Sequence, residues 1–327
     1  MKKETEERIR LAAGALLSMQ RHSWEQGTAM QAFYECGQME TVVQMAHEAV
    51  YRCEPDGRTA VIDHDHAITD PCSVGEALLA AVRLTQDPLL IAGEKALRNW
   101  AMNLAPKNAE GIRYHILGGT EFWVDSMYML PPYLAAAGEC EEAWKLYLGY
   151  WEALYDEAAG LMVHMWDDAK KVWSDPSHWG IGNGWCLMAI ARLIRLFRAD
   201  AAFTKAHPEA EARLAGDAEK LIRKILSLRD AEGNFHDMLD KPGTFTEHGI
   251  ASMTAYTLYS GMNDGWLSQD WKEEADALRL YMEKMQDAYG FVREICGAPS
   301  FDKSGIAPEQ QAAFMMMEYQ YGLGPEA

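Results

Sequence analysis

The sequence predicts an all-α fold: an (α/α)6 barrel in which six helical hairpins, about twelve helices, close into a toroid with short β-like turns at one rim. Three observations predict it. Small or aromatic segments at Trp24, Asp70, Trp123, Trp179, Glu247 and Pro308 open apolar helices, at intervals of 46, 53, 56, 68 and 61 residues. Charged amphipathic stretches alternate with them, so the chain repeats a helix pair. Five glycines recur at one place in that pair, each before an extended apolar piece. A pair repeated six times closes into a ring with one helix of each pair lining the centre.

The outer helices are expected over 5–20, 39–53, 88–104, 139–155, 213–228 and 269–286. Each sets apolar residues at three-to-four spacing against Glu, Lys and Arg. The inner helices differ. Residues 185–197 and 250–260 are apolar or small on most faces, as helices buried between an outer ring and a lumen must be. Gly57, Gly111, Gly160, Gly233 and Gly290 follow outer helices and supply the left-handed turn that ends each one. The β-like pieces after them are expected to pair with their neighbours around one rim. The interval from Arg198 to Glu211, with Pro208, reads as an irregular surface insertion.

The chain has 327 residues, 49% of them hydrophobic, and no linker rich in Pro, Gly or Ser divides it. Residues 1–327 therefore read as one barrel domain. No apolar run approaches the ~20 residues of a membrane span. The N-terminus leads straight into a charged amphipathic helix without the apolar core of a signal peptide, which gives a cytoplasmic expectation. The six cysteines form no CxxC pair and read as reduced thiols. A net charge of −19 excludes a nucleic-acid or anionic-membrane surface, because there is no basic field to displace counterions. It leaves room for an acidic small substrate in a locally positive pocket. Assembly with identical copies is left open by the sequence.

In such a ring the glycine turns and the N-termini of the inner helices meet at one end. Unpaired N–H groups and the helix dipole make that end suitable for an anion. Trp24-Glu25, Asp70, Trp123-Val124-Asp125, Trp179 and Glu247 stand at the openings, and the preceding turns add His115, His164 and His236. Carboxylates, imidazoles and indoles converging on one rim fit a sugar site. Aromatic faces stack on sugar rings, and acids move protons on hydroxyls or glycosidic oxygen. No metal or cofactor is required. Asp63-His64-Asp65-His66 places two histidines around an aspartate, but without further ligands at metal-site spacing a solvated loop is the stronger reading.

Trp24-Glu25-Gln26-Gly27, Trp123-Val124-Asp125-Ser126-Met127-Tyr128-Met129, His164-Met165-Trp166-Asp167 and Trp179-Gly180-Ile181-Gly182-Asn183-Gly184-Trp185 carry a family resemblance. They resemble the unsaturated glucuronyl and rhamnogalacturonyl hydrolases of glycoside hydrolase families 88 and 105, over nearly the whole chain. The resemblance implies an oligosaccharide partner and hydration of a double bond. A protonated aspartate adds its proton to C4 of a 4,5-unsaturated uronic acid, water adds at C5, and the hemiketal collapses to release the neighbouring sugar. It implies that Asp125 is the acid and base, that Asp70 polarises or positions it, and that His164 lies near the reacting carbon. Trp179 and Trp185 would form the stacking wall, with Trp24 and His115 on the rim and Trp123 and Glu247 also contacting substrate. This chain departs from the family pattern at Ile181, where arginine is common, and at Gly249 and Ala251, where serines are common. The partner of the substrate carboxylate is then expected from Arg58, Arg113 or Lys241.

Structural roles compete at each position. Asp70 before Pro71 is also a helix cap, and Glu25 and Glu247 are also first-turn carboxylates that favour a helix dipole. Asp125 is harder to explain structurally, because a buried carboxylate without a partner is costly. Three further functions stay open on the same barrel. One is conventional hydrolysis of an intact uronide or other sugar by Asp70 and Asp125. Another is sugar epimerisation by paired histidines, and the last is sugar binding without catalysis.

Overall fold

The computed structural model describes residues 2–19, 22–62, 66–298 and 301–324. The first hairpin pairs α1 (Lys3–Leu17) with α2 (Ser23–Glu35), and the second pairs α3 (Met39–Tyr51) with α4 (Gly75–Thr85), which a 3-10 turn at Asp70–Val74 introduces. The third runs from α5 (Pro88–Asn99), extended by a wide turn at Trp100–Leu104, through strand β1 (Glu121–Trp123) to the short helices α6 (Ser126–Met129) and α7 (Pro131–Ala136). The fourth begins with α8 (Cys140–Leu154). Strands β2 (Tyr155–Asp156), β3 (Leu161–Met162), β4 (Met165–Asp167) and β5 (Val172–Asp175) then lead to α9 (Gly180–Arg198). After α10 (Ala201–Ala206), the fifth pairs α11 (Ala210–Leu226) with α12 (Gly249–Asn263), and the sixth pairs α13 (Lys272–Glu283) with α14 (Pro308–Leu323).

The ring closes as expected. Around the inner wall α2 packs on α4, α4 on α7, α7 on α9, α9 on α12, α12 on α14, and α14 back on α2. The inner helices α9, α12 and α14 are buried on nearly every face, whereas outer helices such as α11 bury one stripe. Small residues let the inner helices meet. A Cβ at Gly184 would overlap Met253 of the next inner helix, so only glycine fits there. Among the described residues no helix is long and apolar enough to cross a membrane.

Two local expectations need correction. The inner helix of the third hairpin is not continuous: Pro131 and Pro132 offer no backbone N–H, and the chain breaks at Leu130 into α6 and α7. The interval after Arg198 is not wholly irregular either. Asp200 Oδ1 accepts from Ala202 N and Phe203 N at 2.9 and 3.0 Å and caps α10. Phe203 stacks on Phe197 at 4.2 Å, which fastens the insertion to α9.

All five turn glycines have positive φ, between 72° and 103°. An Asp or Asn ahead of each closes the turn through its side chain, as when Asp230 Oδ1 accepts from Asn234 N at 2.8 Å and Asp287 Oδ1 from Phe291 N at 3.0 Å. The extended pieces that follow do link neighbouring hairpins. Ile68 N donates to His115 O, Val124 N to His164 O, Leu239 N to His178 O and His248 N to Glu294 O, over 2.7 to 3.2 Å. This chain of backbone bonds runs around the rim and holds the inner-helix openings in register.

Candidate active site

A cavity of about 340 Å³ opens at that rim, within the usual range for a small ligand of roughly 300–1,000 Å³. Trp24, Asp70, His115, Trp123, Asp125, His164, Trp179 and Trp185 all line it. Eight of the nine residues expected at the site therefore converge. The exception is Glu247. It is fully buried, and its carboxylate accepts from Gly249 N at 2.9 Å, Ile250 N at 3.4 Å and Cys296 N at 3.3 Å. It caps α12 and is not among the residues that line the cavity.

Backbone pairing brings the reacting groups together. Strands β1, β4 and β5 form an antiparallel sheet in the order β1-β4-β5, with Trp123 opposite Met165 and Met165 opposite Asp175. Trp123, His164 and Asp175 are thereby set at one sheet edge. The bond from Val124 N to His164 O, 3.0 Å, places Asp125 beside His164. Asn183 fastens β3, the strand just before His164, to the start of α9: its amide donates to Met162 O at 3.0 Å and Trp179 O at 2.9 Å, and its oxygen accepts from Met162 N at 2.8 Å. That is the physical content of the Gly182-Asn183-Gly184 segment, since Gly182 lies against Val124 and leaves no room for a side chain.

Asp125 stands at the first turn of α6, and its Oδ2 is buried with no hydrogen-bond partner among the described residues. Burial pushes its pKa above the usual carboxylate range, with His164 opposing. His164 Nε2 lies 4.0 Å from Asp125 Oδ2, and its Nδ1 is 2.9 Å from Asp175 Oδ2. The imidazole stands between Trp123 and Trp179, with ring centroids 5.7 and 5.1 Å away. His115 stacks on Trp123 at 4.3 Å; its Nδ1 meets the hydroxyls of Thr69 and Ser126 at 2.9 and 3.0 Å, and its Nε2 faces Asp70 Oδ2 at 3.8 Å. Burial, reinforced by His164, lowers the His115 pKa to about 3, so the ring is neutral. Trp24, Trp123 and Trp179 keep partly open faces. Trp185 is instead packed into the floor against Tyr128, whose ring carries Arg192 on its other contact.

The expected carboxylate partners do not reach the cavity. Arg58 pairs with Asp56 at 3.0 Å. Arg113 is buried against Glu142 and the carbonyls of Ala101 and Met102. Lys241 is exposed, and none of the three lines the cavity. Ile181 packs where a Cβ on Gly249 would fall, so these two departures from the family pattern touch each other. His66 is exposed, whereas Asp63, His64 and Asp65 lie outside the described residues.

Sequence reading missed Asp175, Asp237, Phe301 and Glu309, which also line the cavity. Burial raises Asp237 to about 6 while the Trp179 indole and His164 oppose it. A signal for it exists. Counted from the turn glycines Gly111, Gly160 and Gly233, the residue four places on is His115, His164 and Asp237. Glu309 is the second residue of α14, at the sixth inner opening, and burial raises it to about 8.

Comparison with known proteins places this architecture. The pattern of Glycosyl Hydrolase Family 88 matches residues 1–323. Unsaturated rhamnogalacturonyl hydrolase YesR of Bacillus subtilis (strain 168) is 23% identical over 201 residues, 58% of this chain and 56% of that protein. The aligned part thus spans about half the length of that relative. Among solved structures, a possible member of the GH105 family from Salmonella enterica superposes with a TM-score of 0.82 at 16% identity, covering 98% of this chain and 94% of that one. A family 105 glycoside hydrolase from C. acetobutylicum gives 0.79 at 18% identity, covering 96% and 99%. These likenesses establish the (α/α)6 barrel. The family pattern covers residues 1–323, all six hairpins and the segments that frame the cavity, and the chain belongs to Glycosyl Hydrolase Family 88.

Proposed function

We propose that the enzyme removes a 4,5-unsaturated uronic acid from the non-reducing end of oligosaccharides left by a polysaccharide lyase. The observation that carries this reading is Asp125: a half-buried carboxyl whose Oδ2 is buried with no hydrogen-bond partner among the described residues, raised in pKa, facing a cavity walled by indoles. Burial shifts such a group toward its protonated form, the form a general acid needs. In the proposed reaction the Asp125 O–H bond breaks as a C4–H bond forms, with the electrons drawn from the C4=C5 double bond. Water then bonds to the electron-poor C5 and returns a proton to Asp125, leaving a hemiketal at C5. Opening of that hemiketal breaks the ring, and the neighbouring sugar leaves from C1. His164 stands where it can hold the water or the C4 side of the ring, and Trp24, Trp123 and Trp179 offer faces for stacking.

The name of the Bacillus subtilis relative supports unsaturated rhamnogalacturonyl units as the first substrates to assay. Epimerisation is disfavoured. Of the four histidines it would draw on, His236 and His248 do not line the cavity, and neutral His115 is a poor proton carrier. The test is to follow absorbance of the conjugated double bond in an unsaturated rhamnogalacturonan disaccharide. The wild-type enzyme should bleach it and Asp125→Asn should not. Release of an aryl group from a saturated uronide with no bleaching would replace this reading by conventional hydrolysis.

A further inference from the structure

A uronate brings a negative charge into a cavity that already holds Asp70, Asp125, Asp175, Asp237 and Glu309. Among its described lining residues there is no lysine or arginine. Something else must offer hydrogen bonds to the substrate's carboxylate. Among lining side chains, three kinds can: an indole N–H, an imidazole N–H, or a carboxyl that keeps its proton. The indole of Trp123 is engaged with Glu121 at 3.2 Å, and His115 is held by Thr69 and Ser126. His164 is committed to Asp175 on one side and faces Asp125 on the other.

The carboxyls are in a different position, since Asp125, Asp237 and Glu309 each keep a buried oxygen with no hydrogen-bond partner among the described residues, and Glu309 is the most deeply buried of the three. It is only 3% exposed, yet it lines the cavity, and its Oε2 is a buried atom with no hydrogen-bond partner among the described residues. An unpartnered carboxyl oxygen this deep costs folding free energy unless something arrives to use it. We propose that the Glu309 carboxyl, in its neutral form, donates its O–H to the carboxylate of the bound uronic acid and so replaces the missing cation in substrate recognition. The inference rests on the uronide reading above and names the group that would read the acid.

The surroundings keep that proton in place. Glu309 faces Glu25 on α2, Asp125 at the opening of α6, Glu247 ahead of α12 and Cys296 on the loop before α14. Burial and the three neighbouring carboxyls raise its pKa to about 8, whereas Asp237 rises only to about 6. At neutral pH Glu309 is therefore mostly a donor and Asp237 mostly an acceptor. An acid–carboxylate pair sharing one proton is a strong, short, charge-assisted bond. It also discriminates: once Glu309 ionises, the same position repels a uronate and leaves a neutral sugar little affected.

The experiment compares wild type with Glu309→Gln, a neutral isostere that keeps a donor at every pH, and with Glu309→Ala. Tryptophan fluorescence titrations with glucuronate and with glucose, at pH 6.5 and pH 9, read binding without turnover. Wild-type affinity for glucuronate should fall about tenfold at pH 9, one unit above the Glu309 pKa. Glu309→Gln should hold it nearly constant, and Glu309→Ala should weaken glucuronate at both pH values while glucose changes little. The same pH loss in wild type and Glu309→Gln overturns the proposal, and so does equal loss of glucose and glucuronate in Glu309→Ala. A thermal melt on each variant confirms the fold. The bleaching assay runs beside these titrations. If no unsaturated disaccharide is turned over but the Glu309 pattern holds, the hydration reading fails and the carboxylate-binding role stands. If bleaching proceeds and Glu309→Gln behaves as wild type, only the role of Glu309 falls.

Discussion

His164 presents its Nε2 to Asp125 Oδ2 at 4.0 Å while Asp175 Oδ2 holds its Nδ1 at 2.9 Å. The separation is too long for a direct hydrogen bond, and a substrate or water oxygen to one side could meet both atoms. Despite burial, hydrogen bonds from Ser177 and His164 keep Asp175 below the usual carboxylate range, so it acts as a fixed anion that orients the ring. Asp175→Ala should lower kcat on an unsaturated disaccharide about ten- to a hundredfold. That is less than the ~10²–10⁴ expected for losing the proton donor itself. Steady-state rates for Asp175→Ala and Asp125→Asn, measured side by side, check the order.

The pH profile should show Asp125 directly. Its pKa lies above the ordinary value because burial penalises the carboxylate, and the proposed step needs the protonated form. Turnover is therefore fullest below that raised pKa and falls as pH climbs through it. Trp179→Ala would admit water to the cavity and relieve the burial. The descending limb of the kcat profile in that variant should move to lower pH. An unmoved limb would assign the titration to another group.

How far the sequence discloses this site depends on which signals repeat. The turn glycines, the alternation of amphipathic and apolar helices and the indoles at the openings are local patterns, and each has its place in the barrel. Asp125 is legible because a carboxylate after Trp123-Val124 has no obvious structural use. Glu247 differs: it opens an inner helix as the lining residues do, but its carboxyl is taken up by Gly249 N and Cys296 N and does not line the cavity. Which way a first-turn side chain points depends on the neighbouring loop, and spacing carries no record of that. Asp175 and Glu309 reach the cavity through the β4–β5 hairpin and the ring closure of α14 on α2, contacts between segments far apart in sequence. Asp237 was within reach, since aligning the repeats on their glycines puts it at the station of His115 and His164. The supposed cationic partners failed because Arg58 and Arg113 each have a nearer acid.

Asn183 should be worth more to the fold than its size suggests. It makes three buried hydrogen bonds that tie β3 to the start of α9, and it is fully buried. Asn183→Ala strands the N–H and C=O of Met162, while the Trp179 carbonyl keeps the bond it accepts from the backbone N–H of residue 183. A cost of about 2–4 kcal/mol is expected, from the ~1–3 kcal/mol attached to each buried group left unsatisfied, partly relieved by water. Urea denaturation measures it. Because His164 lies two residues beyond Met162, residual activity should fall further than the folded fraction does.

The carboxyl of Glu309 also makes stability depend on pH. Its pKa is about 8 in the folded protein against 4.5 for the free group, so between those values the folded state keeps a proton that the unfolded chain has released. Folded protein then binds more protons than unfolded, and stability falls as pH rises through that window. Below about pH 4.5 both states are protonated and the contribution is fully present; above about pH 8 it is gone. The loss is on the order of a few kcal/mol for so buried a group. Glu309→Gln removes the titration and keeps the shape. Between pH 5 and pH 9 the wild-type midpoint in urea should therefore drop more than that of the variant, and parallel curves would show that Glu309 is already ionised in the folded enzyme.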